Sequence, residues 1–239
     1  MADIYEQLKT ALDREIHQRR LSGKQVSVRC KALSAVEAIG NPDHNDYPII
    51  KGREVMMEAD FAGSKGQAFT DEMENAELAV EDLLTIELST TRSRAVFIAG
   101  LNAVFRHSGL CGKTVHCRDK EPKQCADALP EIIEPGKKVL LVGHQPRFLE
   151  KLASLCDVRA VDLDRDNIGK IFSGVTIEPR EMTPDAITWC DLIFATGSTV
   201  VNGTVGDFIG KDKPVVFYGV TISAAAKILD LKTYCHCGH

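Results

Sequence analysis

Lys137-Lys138-Val139-Leu140-Leu141-Val142-Gly143 decides the fold: a charged lead-in, an unbroken aliphatic run, and a glycine. An apolar run this short, with no alternation of polarity, predicts a strand buried on both faces. The period then changes, with Phe148, Leu149, Leu152 and Leu155 recurring at helical spacing. Further strands are expected at Val158-Arg159-Ala160-Val161-Asp162, at Asp191-Leu192-Ile193-Phe194-Ala195-Thr196-Gly197 and at Pro214-Val215-Val216-Phe217-Tyr218-Gly219. Helical or loop segments separate them. Apolar strands alternating with helices predict an α/β fold with a parallel sheet covered on both faces.

N-terminal to this stretch the pattern differs. Ile4, Leu8, Ala11, Leu12 and Ile16 predict a helix that Gly23 ends. Val26, Val28 and Cys30 alternate, and Val55, Met56, Met57 and Phe61 form a second short apolar segment. Between them, Asn41 to Pro48, with His44 beside Asp43, reads as a loop. Gly63-Ser64-Lys65-Gly66 lacks the spacing of a phosphate-binding loop and reads as a hairpin or loop with a solvated lysine. Helices are expected over 75–88 and 92–107. Two units result: an α+β unit over 1–108 and a Rossmann-like α/β unit over 109–239, divided near Ser108-Gly109.

Composition narrows the function classes. The 239 residues are 44% hydrophobic and 26% charged, an ordinary globular balance. With 29 basic and 34 acidic side chains the net charge is −5, which gives no reason to expect nucleic acid or a membrane surface as partner. No apolar run reaches the ~18–20 residues of a membrane helix. The acidic N-terminus has no signal-peptide core, so a cytoplasmic address is expected. In a reducing compartment the eight cysteines are buried hydrophobes, redox groups or metal ligands rather than disulfides.

Ligands of open parallel sheets bind beyond the carboxyl ends of the strands. One such loop is Gly143-His144-Gln145-Pro146, which is not the glycine pattern of dinucleotide binding. Asp162 follows Gly143 at about the interval of a ribose-binding acid; a solvated acid at a strand end is the competing reading. A second loop runs through Thr196, Gly197, Ser198, Thr199, Val200, Val201, Asn202, Gly203 and Thr204. Its glycines permit close backbone approach, and free N–H groups at a following helix would suit an anion or carboxylate. Thr204 with Asp207 fits a capping box. The competing reading is a loop that only caps a helix.

The C-terminus gathers soft ligands: Cys235, His236, Cys237 and His239. Thiolate with imidazole suits zinc, copper(I), nickel or a heavier ion. So short a tail cannot close four ligands on one ion, so the remainder should come from elsewhere, first from His116-Cys117 with Cys111 and Cys125 nearby. The competing reading is a mobile tail with unliganded thiols. Cys30, Cys156 and Cys190 lie beside apolar residues and are expected to be buried.

The segments Val139 to Pro146 and Asp191 to Thr204, with Ala99-Gly100-Leu101-Asn102-Ala103, resemble the heavy-metal chelation family of prokaryotes. The resemblance implies an enolase-N-terminal-like domain joined to a Rossmann-like domain, with a site between them that includes Gly143, His144, Thr196, Gly197, Asn202 and Gly203. The Cys-His-Cys-Gly-His tail lies outside the shared pattern. The expectation is thus a protein that chelates a transition or heavy metal ion and holds a small anionic ligand in an inter-domain cleft. The alternative is an enzyme binding a nucleotide or a cofactor like S-adenosylmethionine in that cleft. Proteins of two domains with a cleft often form homodimers, and no residue pattern fixes one here.

Overall fold

The computed structural model describes residues 4–31, 40, 46, 54–72 and 74–239, with backbone alone for 28–31. The loop read over 41–48, His44 with it, and the Cys30 side chain lie outside the described residues, Asp46 excepted.

Helix α1 (Ile4–Arg19) buries Leu8, Leu12 and Ile16, one apolar stripe at intervals of four. Four antiparallel strands follow: β1 (Gln25–Lys31), β2 (Val55–Phe61), β3 (Ser64–Thr70) and β4 (Ala76–Ala79), in the order β3-β2-β1-β4. Ala62 and Gly63 make the β2–β3 turn with φ of 50° and 82°, the positive pair that suits a tight hairpin. Lys65 lies on β3 and pairs with Glu58 at 2.8 Å. The helix expected over 75–88 does not form. Its first residues become β4, paired with β1 from Gln25↔Ala79 to Val28↔Ala76, and Val80–Thr85 is a 3-10 turn. Edge pairing with β1 satisfies backbone groups that an isolated helix would have had to satisfy locally, so tertiary context overrides the local period.

Helix α2 (Thr91–His107) starts at Thr90, whose side chain accepts from the Ser93 backbone N–H. Every residue from Ala95 to Phe105 is buried. A helix buried on all sides is enclosed by protein, and α2 lies between the antiparallel sheet and the second unit. Asn102 ties the two together. Its amide Nδ2 donates to the carbonyls of Gln67 on β3 (3.0 Å) and Thr221 (3.1 Å), and its Oδ1 accepts from Ala224 N (2.9 Å).

The second unit contains α3 (Glu121–Asp127), β5 (Lys138–Val142), α4 (Pro146–Leu155), β6 (Asp157–Asp162), β7 (Ile171–Phe172), β8 (Val175–Pro179) and α5 (Thr183–Trp189). It continues through β9 (Leu192–Thr196), the single turn α6 (Thr199–Asn202), β10 (Val215–Tyr218), α7 (Ser223–Leu229) and β11 (Thr233–Tyr234). The sheet order is β11-β10-β9-β5-β6-β8-β7, parallel except for the β7–β8 hairpin. Without that hairpin strand the order matches doubly wound dinucleotide-binding sheets, which reverse direction beside the first strand. Here that point lies between β5 and β9. Leu140, Val142, Ile193 and Ala195 pack in one core with α2 and α7. Val139, Leu141, Phe194 and Tyr218 pack on the other side with Cys125, Leu149 and Leu152. The four strands read from sequence are the central ones, β5, β6, β9 and β10. Those missed, β7, β8 and β11, are short or carry polar residues at the sheet margins.

Candidate ligand cavity and thiol cluster

A cavity of about 440 Å³ lies where the carboxyl ends of β5, β6, β9 and β10 meet the end of β3. The parallel sheet contributes Gly143, His144, Asp162, Thr196, Ser198, Asn202 and Thr204; the antiparallel unit contributes Glu54, Phe69, Thr70 and Asp71; Cys117, Cys125 and Cys235 form a further part of the wall. Both groups read from the sequence, the strand-end loops and part of the cysteine set, therefore reach one space.

At Gly143 the backbone has φ of 87°, and a Cβ there would meet Thr196 Cγ2 at 2.9 Å, so only glycine fits. His144 is buried and stacks on Phe172 with ring centroids 4.3 Å apart. Asp162 accepts two backbone N–H groups, from His144 (2.5 Å) and Asp164 (2.7 Å). Gly197 and Gly203 do not line the cavity. Gly197 packs against Ile222, and Gly203, with φ of 77°, ends α6 beside the Arg94 guanidinium.

The N–H groups expected to cradle an anion at 196–204 are largely spent within the loop. Helix α6 is one turn, and the N–H groups of Ser198, Val200 and Val201 already donate to Thr196 Oγ1, Gly197 O and Ser198 O. The capping box at Thr204 is also absent: no side-chain cap bond forms, and Asp207 pairs with Arg180 at 3.1 Å. Nor does the lining favour the expected anionic ligand. Among the described residues that face the cavity, Glu54, Asp71, Asp162, Asp164 and Asp207 are acidic, and the one arginine, Arg180, pairs with Asp207. Burial, then the charges of Asp162, Asp164 and Asp71, push the Glu54 carboxyl up to about 7. Nothing local in the sequence marks Glu54; its setting arises only from the packing of one unit on the other.

The tail is held along its length. Tyr234 donates its hydroxyl to Cys125 O at 2.6 Å. Lys113 Nζ donates to Cys235 O at 2.6 Å, and Val115 and His239 exchange two backbone hydrogen bonds at 2.8 and 2.9 Å. The reading of a mobile tail is thereby corrected: these bonds seat it on the stretch 113–125.

That seating brings three thiols into contact. Cys117 and Cys237 both hydrogen-bond the Cys125 sulfur, which also accepts from the Cys237 backbone N–H at 3.2 Å. Cys125 is the favoured thiolate, lowered to about 6 first by the Cys117 thiol and then, against burial, by Cys237 and the charge of His236. Cys117 is raised by donating to Cys125 and by burial. Cys237 is pushed up to about 12 and Cys235 to about 11, burial being the first cause in each. Each further thiolate in this cluster would sit beside an existing negative charge with too little positive charge to balance it.

Cys125, which sequence reasoning left undecided, is thus the centre of the cluster. His239 is directed elsewhere, its Nε2 lying 3.2 Å from Glu121. His116 Nδ1 lies 2.6 Å from Cys117 O, so that nitrogen carries the proton and Nε2 keeps its lone pair. Burial holds His116 down to about 4, hence neutral at ordinary pH. Cys190 is buried as expected, Cys156 only partly, and Cys111 packs at the edge of the α2 core. Among the described residues, no group of three or more histidine, cysteine or acidic side chains is placed so that it could hold a metal ion, and no helix is long and apolar enough to cross a membrane.

Residues 127–231 match the family described as "Putative heavy-metal chelation", DUF364. A protein of unknown function of that family from Pyrococcus horikoshii superposes with a TM-score of 0.57 at 13% identity, over 92% of this chain and 80% of its own. Another, from Desulfitobacterium hafniense DCB-2, gives a TM-score of 0.50 at 14% identity, over 73% of this chain and 72% of its own. At such identities the likeness is one of fold. No curated protein matches the chain.

Proposed function

We propose that the chain, whose residues 127–231 match the heavy-metal chelation family, captures a soft metal ion through the thiols of Cys117, Cys125 and Cys237, beside the cavity between its two units. The observation that supports this most is the hydrogen bond from the Cys237 backbone N–H to the Cys125 sulfur at 3.2 Å, which brings together two cysteines 112 residues apart. The donor chemistry fits a thiophilic ion such as zinc, copper(I) or cadmium. Cys235 faces the same cavity and is a fourth donor within electrostatic reach of Cys125. His116 offers Nε2, with Nδ1 committed to a carbonyl in the way metal-binding imidazoles are commonly oriented.

A bound cation would offset the burial and the neighbouring negative charge that, with the hydrogen bonds from Cys117 and Cys237 to Cys125, now keep Cys117, Cys235 and Cys237 protonated. Capture would require the thiols to turn from one another toward the ion. A thiol set of this kind stays reduced in a reducing compartment, which accords with a cytoplasmic protein.

Anaerobic titration of the full chain with Cd²⁺, followed by thiolate-to-metal charge-transfer absorption, tests the proposal. The parent should bind stoichiometrically. Cys125→Ser should weaken binding by roughly 100-fold or more, since loss of an outer-shell partner alone costs ~10–100-fold. Cys156→Ser, remote from the cluster, should leave it unchanged. Undiminished affinity in a Cys125→Ser/Cys237→Ser double variant would overturn the assignment.

A further inference from the structure

The metal reading leaves the opposite end of the cavity unused. There the sheet has the order of a dinucleotide-binding fold, and its switch point between β5 and β9 opens into the cavity. In that fold the phosphates rest on the N–H groups at the start of the helix after the first strand. Here most of those donors are occupied. Gly143 N donates to Val161 O, Gln145 N to Gly143 O, and Phe148 N to the Gln145 side chain at 2.6 Å. His144 N donates to Asp162, and Pro146 has no N–H. A carboxylate stands where a phosphate would have to be.

The remaining lining is equally hostile to phosphate. Among the described residues, five carboxyl groups, those of Glu54, Asp71, Asp162, Asp164 and Asp207, face the space, the last of them paired with Arg180. Yet the wall calls for a polar ligand. Asn167, Thr183 and Thr204 are 9%, 7% and 7% exposed, line the cavity, and make no side-chain hydrogen bond within the described protein. Their polar atoms open onto the cavity and are available to a ligand. Asp162 ends the second strand of the series, the position of the ribose-binding acid, with lone pairs left beyond its two backbone bonds. Beside it on the rim, Leu163 is 48% exposed, an apolar surface placed to pack against a base.

We propose that this crevice binds a phosphate-free nucleoside that carries positive charge, of the sulfonium class, with Asp162 on the ribose hydroxyls and the Glu54–Asp71–Asp164 side facing the cationic centre. Asn167, Thr183 and Thr204 supply the remaining polar contacts. The site shares the cavity with the thiols but needs neither them nor a metal.

Isothermal titration of chelator-treated full chain with three probes tests it: S-adenosylmethionine, its uncharged thioether counterpart S-adenosylhomocysteine, and AMP. The sulfonium should bind at least roughly tenfold more tightly than the thioether, and AMP should not bind measurably, because like charges brought together in such a cavity repel. Glu54→Gln should shrink the sulfonium-to-thioether ratio several-fold. Thr204→Val should weaken both ligands alike and leave the ratio unchanged. Equal affinity for sulfonium and thioether, binding of AMP, or no binding of any probe would each overturn the proposal. So would 1,4-diaminobutane binding as tightly as the sulfonium, since the nucleoside part would then be irrelevant. Cys125→Ser should keep sulfonium binding, so failure of the metal reading is separable from failure of this one.

Discussion

Glu54 illustrates how a residue acquires its character from neighbours far along the chain. Its carboxyl, normally near 4.5, is held up to about 7 by burial and by the acids of β6 and its loop. Between those two values the folded protein keeps a proton that the unfolded chain has lost. The folded state is therefore favoured at the acid end of that window, and this contribution is lost as pH rises through about 7. Glu54→Gln should remove the penalty, which amounts to at most about 3 kcal/mol. Denaturant midpoints should show the variant more stable than the parent at pH 8 and close to it at pH 4.5; a gap of the same size at both would refute the account. Gly143, Thr196 and Asp162 were legible because strand ends are marked by glycine and by the end of an apolar run. Glu54 was not, since Gly-Arg-Glu-Val reads locally as an ordinary charged turn before a strand. Cys125 stood only as one of several cysteines near His116-Cys117, with burial for packing as an equal reading.

At the scale of elements, α2 is the piece on which both units rest. This helix was expected from sequence over 92–107, and Ala99 to Ala103 was one of the segments that carried the family resemblance. What sequence did not reveal is how closely β3 approaches it. A Cβ at Gly66 would lie 2.2 Å from Ala103 N and 2.4 Å from Ala99 O, both backbone atoms of the helix that cannot turn aside. Gly66→Ala should destabilise by about 1–3 kcal/mol or more, as overpacking against rigid groups does. Gly112→Ala, which meets nothing within 4 Å, should stay within about 0.5 kcal/mol of the parent. Urea midpoints decide, and indistinguishable values for the two variants would contradict the close approach. The segment 75–88 shows the opposite failure: its local period was helical, but β1 had an open edge, and pairing with it won.

Across the whole molecule, the last strand and the tail close the structure around the thiols. Tyr234 joins β11 to α3 through the hydroxyl on Cys125 O, and Val115 with His239 repeats the link two backbone bonds further on. Tyr234→Phe should cost about 1 kcal/mol, the usual worth of one hydrogen bond. Amide exchange should quicken together in 111–125 and 233–239 while α1 keeps its protection. Faster exchange in the tail alone would show that the two segments are not held as one. The proposed metal affinity belongs to this scale too, because its donors come from both sides of that closure.

The sequence alone determined the α/β class, the four central strands, the helix between the units and the residues at two strand ends, because each rests on short-range period and on glycine's freedom of φ. Only the tertiary structure decided that the cysteine tail folds back on 113–125 with Cys125 at its centre, that the strand-end loops spend their own N–H groups, and that acids from both units line one cavity. Those outcomes depend on which surfaces meet across more than a hundred residues, and hydrophobic periodicity carries no information about that.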